Sequence, residues 1–86
     1  MEQEFITADI YLISAINILI RIEPLYRVKN GRTLGVFPAS DALFKAMNQF
    51  NGGVAINALE YSQMIKRVRS ELIMRRNSAQ EGTRHV

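Results

Sequence analysis

No cysteine occurs among the 86 residues, which removes disulfides, thiolate nucleophiles and thiolate zinc sites together. Tryptophan is missing, and the single histidine, His85, sits one residue from the C-terminus. A catalytic or metal-binding histidine needs positioned partners that a chain end does not supply, so His85 reads as a solvated tail residue. The longest apolar run, interrupted only by Ser14 and Asn17, covers 11 residues from Ile10 to Ile20. That falls well short of the ~20 needed to cross a bilayer. Met1-Glu2-Gln3-Glu4 is acidic where a secretory leader would be basic, which makes the cytoplasm the expected location. Gly52-Gly53 lacks the further glycines or the lysine–serine pair of a phosphate loop and reads as a helix stop. No two carboxylates have a spacing that forces them together, and Asp9, Asp41 and Glu60 fall where helices start. The expectation is therefore a non-enzyme with no catalytic residue, no cofactor and no metal.

What is present is apolar and centred on Asp9–Ile22. At about 100° per residue, Ser14, Asn17 and Arg21 form one narrow polar stripe, read as facing solvent or bonded to a neighbour. Tyr11, Leu12, Ile13, Ala15, Ile16, Ile18, Leu19 and Ile20 cover the remaining arc, so the segment must be buried on most sides. A helix is expected over 8–19, with Thr7 as N-cap and Asp9 in its first turn. Ile16, Ile18, Ile20 and Ile22 alternate at strand period, and Pro24 opposes a helix beyond Ile22, so the switch to extended chain is placed near Ile20. Before the helix, Phe5-Ile6 suits a short edge strand.

Asn30-Gly31 is the sharpest local signal, since a two-residue type I′ turn needs positive φ at both positions. It implies a hairpin of strands 22–28 and 33–38, with Val28 opposite Thr33, Arg27 opposite Leu34, Tyr26 opposite Gly35 and Leu25 opposite Val36. One face then carries Leu25, Leu34 and Val36. The other carries Tyr26, Val28 and Phe37, with Tyr26 free to lie over Gly35. Helices are expected on one face and a partner or further strand near the other, because a lone hairpin is not stable.

Ser40 caps a second helix over 41–51, with Leu43, Met47 and Phe50 as its apolar stripe and Gly52 as its left-handed stop. Asn57 and Glu60 form a capping-box variant, and Ile56 with Tyr61 has the spacing of a hydrophobic staple. A third helix follows over 58–75, burying Tyr61, Met64, Ile65, Val68 and Leu72. Residues 77–86, poor in apolar side chains, read as a disordered tail. The expected architecture is one α+β domain over 1–76, a small antiparallel sheet with three helices.

Thr7-x-Asp9 opening an apolar helix, a tight hairpin ending Val36-Phe37-Pro38, a helix with Phe50 near its end and a longer amphipathic helix together resemble a family of short prokaryotic and phage proteins of unknown function. The resemblance covers residues 5–74 and implies a fold of this class, with no activity attached. Family members close the first helix with a glycine, where this chain has Ile20-Arg21-Ile22.

Two partner classes follow. The first is a second copy of the chain, or another protein, because so small a domain has little spare structure to cover its apolar surface. Ile13, Ile18, Ile20 and Tyr26 are the candidate interface residues, and a homodimer is the preferred expectation. The second is nucleic acid. Net charge is +3 overall but −1 over residues 1–62 and +4 over 63–86. Lys66, Arg67, Arg69, Arg75 and Arg76 are the candidate phosphate contacts, against the alternative that Arg67 pairs with Glu71 one turn on.

Overall fold

A computed structural model describes the backbone of residues 3–84 and the side chains through Ser78. The elements are β1 (Glu4–Thr7), α1 (Ile10–Ile20), β2 (Leu25–Lys29), β3 (Arg32–Pro38), α2 (Asp41–Asn51) and α3 (Ala58–Arg84). The strands form one antiparallel sheet in the order β1-β3-β2. This is the expected α+β fold of three helices and a three-stranded sheet.

Asn30 and Gly31 take φ of 55° and 73°, as a type I′ turn requires, and the β2–β3 register pairs Leu25, Tyr26, Arg27 and Val28 as the sequence implied. Side chains alternate across a strand, so Thr33, Gly35 and Phe37 share one face of β3. All three face the helices. The Thr33 hydroxyl donates to the Leu72 carbonyl of α3 at 2.9 Å, and Phe37 joins Ile13, Ile16, Leu43 and Val68 in the core. Over Gly35 lies Ile13 rather than Tyr26: a Cβ at position 35 would stand 2.8 Å from Ile13 Cδ1. Tyr26 instead lies under the Arg75 guanidinium, 4.9 Å from its ring centre.

Six consecutive residues of α1, Ile13 to Ile18, are buried, which encloses the helix on all sides between the sheet, α2 and α3. Ser14 and Asn17 are therefore inside, not at the surface. Ser14 compensates by donating its hydroxyl to the Ile10 carbonyl at 2.7 Å, whereas Asn17 Nδ2 finds no protein partner. The helix starts two residues later than expected. Asp9, not Thr7, is its N-cap and accepts from the Tyr11 and Leu12 amides, while the Thr7 hydroxyl accepts from the Asp9 amide. Its end is set by Arg21, which takes the left-handed conformation at φ 56°. That reversal, followed by Pro24, delays β2 to Leu25 despite the alternating isoleucines.

Ser40 caps α2 by accepting from the Leu43 amide. The left-handed residue after α2 is Gly53, at φ 84°, and not Gly52; Val54 then bonds back to the Gln49 carbonyl and Gly53 to that of Phe50, a Schellman closure. Asn57 Oδ1 accepts from the Glu60 amide at the start of α3, and the Glu60 carboxylate lies 3.4 Å from Arg21. The Tyr61 hydroxyl donates to the Tyr11 carbonyl and ties α3 to α1.

The third helix continues to Arg84, past the end expected at 75, so residues 77–84 are helical rather than a tail. Low apolar content removes packing but not helix propensity: the stretch holds no proline, no glycine before Gly82, and good formers in Ala79, Gln80 and Glu81. Extending an existing helix needs no new nucleus. His85 and Val86 lie outside the described residues.

Gly35→Ala should cost about 1–3 kcal/mol, because the added carbon overpacks a fully buried Ile13. Chemical denaturation will read this, and an unchanged midpoint would mean that α1 does not press on β3. Arg21→Gly should raise stability by about 0.5–1 kcal/mol, since glycine adopts the left-handed cap without steric cost. The exposed Arg21–Glu60 pair lost with it is worth little. A lower melting temperature in that variant would contradict the cap assignment.

Candidate interaction surfaces

Because all three helices stack on the Phe37 side, no helix among the described residues covers the opposite face of the sheet. Leu34 and Val36 lie on that face of β3, Leu25 and Arg27 on β2, Glu4 and Ile6 on β1. The register aligns Ile6, Val36 and Leu25 in one row across the three strands. Arg27 stands opposite Leu34 and Glu4 opposite Pro38, so their ion pair, at 3.2 Å, must cross the central strand diagonally at Val36. Val36 is accordingly only 3% exposed, although no helix lies over it. Leu25 and Ile6 beside it stay open, at 73% and 44%.

This changes the composition of the candidate interface. Ile13 and Ile18 are 0% and 7% exposed, so neither can meet a partner in this fold. The sequence placed them at the edges of an apolar arc; the enclosure of α1 puts both in the interior. Ile20 is half-buried against the core, and Tyr26 is half-buried on the helix side. Burial pushes the Tyr26 phenol above the usual tyrosine range, with Glu71 and Glu23 adding to the shift. Sequence reasoning set Leu25 on the face away from Tyr26 without counting it among the candidates, and it missed Ile6. Its only signal was the two-residue apolar pair Phe5-Ile6, which does not by itself say which strand β1 joins.

The basic residues of α3 do not form one surface. Positions 67, 71 and 75 recur one turn apart on one flank and face the β2 edge across a groove of about 510 Å³. There Arg67 pairs with Glu23 rather than with Glu71, and Glu71 pairs with Arg75 at 2.9 Å. Tertiary placement overrides the helical spacing, since Glu23 at the entry to β2 stands across from Arg67. Arg69 and Arg76, seven residues apart, lie on the other flank and line a second cleft with Arg32 and Thr33. Lys66 is exposed.

Among the described residues no cluster of metal-ligating side chains occurs, and no helix is long and apolar enough to cross a membrane. The fold defines a small two-layer α+β protein with one face of its sheet uncovered. No family model, curated protein or solved structure matches the chain.

Proposed function

We propose that the protein is a small non-enzymatic interaction module that self-associates through the uncovered face of its sheet. The observation that carries this is Leu25, a large aliphatic side chain 73% exposed in regular β-structure, in line with Ile6 and next to Leu34. An exposed apolar patch on an ordered surface marks a contact site more often than an ornament of a monomer. A sheet face is self-complementary in outline: two such faces related by a twofold axis stack about 10 Å apart and interdigitate their side chains. Here the apolar row would meet at the centre. The Arg27–Glu4 pair would stand beside it, its charges already neutralised within one chain.

Lys29 and Arg32 flank the turn at the end of the sheet and favour solvent over burial, so the contact is confined to the half of the face away from the turn. The result is a compact apolar contact with a charged rim, the usual anatomy of a protein interface. Nucleic-acid contact along α3 as a continuous basic band is the weaker reading, because Arg67 and Arg75 are held by carboxylates.

Light scattering on the unmodified protein should give twice the 9.8 kDa of one chain. Leu25→Lys should give a monomer with an unchanged circular dichroism spectrum, because the side chain is mostly exposed within the chain. A wild-type monomer at millimolar concentration would remove the proposal, as would a dimer that survives the substitution.

A further inference from the structure

The flank of α3 opposite the paired arginines holds a site of different character. β1 ends at Thr7, opposite Gly35, whereas β3 runs back three further residues to Arg32. The missing strand length leaves a notch beside Arg32 and Thr33, floored by Ala8 and walled by Arg69, Leu72 and Arg76 of α3. The cleft measures about 240 Å³. Three of its lining residues are arginines and none is acidic.

That concentration of charge is unlike the rest of the molecule. Among the described residues four ion pairs form, and they occupy Arg21, Arg27, Arg67 and Arg75. Arg32, Arg69 and Arg76 take part in none of them. Neither Arg69 nor Arg76 has an acid three or four residues away on the helix, so no neighbour along α3 can serve. Asp9 follows Ala8 in the chain, but its carboxylate accepts from the Tyr11 and Leu12 amides of its own helix. Arg69 and Arg76 border the cleft from α3, and Arg32, which springs from the uncovered face of β3, borders it at the strand's open edge; three exposed like charges around one cleft favour an anion there.

The backbone adds a donor. In a two-residue hairpin the residues flanking the turn, Lys29 and Arg32, exchange hydrogen bonds, and the pattern alternates from there. Arg32, Leu34 and Val36 therefore turn their peptide groups toward β2, and Thr33, Gly35 and Phe37 turn theirs toward β1. Since β1 has already ended, the Thr33 N–H faces the notch. Guanidinium groups bind tetrahedral oxyanions in a planar, two-bond geometry that lysine cannot copy, and the basic residues lining the cleft are all arginines.

We infer that this notch binds a phosphate group, held by Arg32, Arg69 and Arg76 with the Thr33 amide as a further donor. A free phosphate monoester and a nucleic-acid phosphodiester present the same oxyanion, and the experiment separates them. Amide chemical shifts of the ¹⁵N-labelled protein are followed at low ionic strength during titration with inorganic phosphate, a nucleoside monophosphate and a short DNA duplex, with chloride at matched ionic strength as reference. Saturable shifts at Ala8, Arg32, Thr33, Arg69 and Arg76 are expected, with those of Arg67 and Arg75 unmoved. Tighter binding of the mononucleotide identifies a small phosphate ester, and tighter binding of the duplex identifies a nucleic-acid backbone. Arg69→Gln and Arg76→Gln should each weaken the bound species about tenfold, the order expected for a lost charged hydrogen-bond pair. Arg67→Gln should have no effect. Shifts no larger than those from chloride, shifts spread evenly over both flanks of α3, or equal losses from Arg67→Gln and Arg69→Gln would each overturn the assignment.

Discussion

Six consecutive residues of α1 are buried, and a helix can be enclosed on every side only if something packs against each side. That requirement organises the molecule. The sheet closes one side through Ile13, which presses so close to Gly35 that a side chain there would have to displace it. α3 closes another through Val68 and the Tyr61–Tyr11 hydrogen bond, and α2 a third through Leu43. The enclosure has a cost as well as a gain. It takes Ser14 and Asn17 inside, where the hydroxyl satisfies itself on its own helix and the Asn17 amide nitrogen does not.

Covering α1 uses every helix the chain has. All three lie on one side of the sheet, and the other side keeps only what its own strands supply. The Arg27–Glu4 pair stretched over Val36 is a local solution for one residue, but it leaves Leu25 and Ile6 open. The uncovered face is thus a consequence of the same constraint that builds the core. The charges of α3 divide for a related reason: the helix sits astride the sheet, so one flank meets the acidic entry to β2 at Glu23 and the other meets the short end of β1.

What could be read in advance was whatever local chemistry decides. Asn30-Gly31 fixed the turn, and with it every pair of the hairpin; Ser40 fixed the start of α2. What escaped was decided at a distance. A polar stripe of Ser14 and Asn17 suits a solvent face or a hydrogen-bonded contact equally, because periodicity records polarity and not how many neighbours surround a helix. Ile13 and Ile18 looked like interface residues on the same reasoning. Arg67 had an acid one turn away in Glu71, but Glu23, 44 residues back in the chain, holds it instead. The end of α3 was misplaced because composition reports whether a segment can pack, while continuation of a helix requires only that nothing breaks it. The notch beside Thr33 depends on where β1 stops relative to β3, a register between strands that no turn links.

If the enclosure of α1 governs the fold, its opening and the loss of the whole structure are one event. Native-state hydrogen exchange measures this directly. The amides of Ile16 to Ile18 in α1, and those of Gly35 to Phe37 in β3, should exchange only through global unfolding, with one common free energy. The last turns of α3, beyond the core contacts of Leu72, should exchange faster by local fraying. Slow exchange confined to the hairpin, with α1 opening at a lower free energy while the sheet stays protected, would show that the sheet stands without the helix and that α1 is not its organising element.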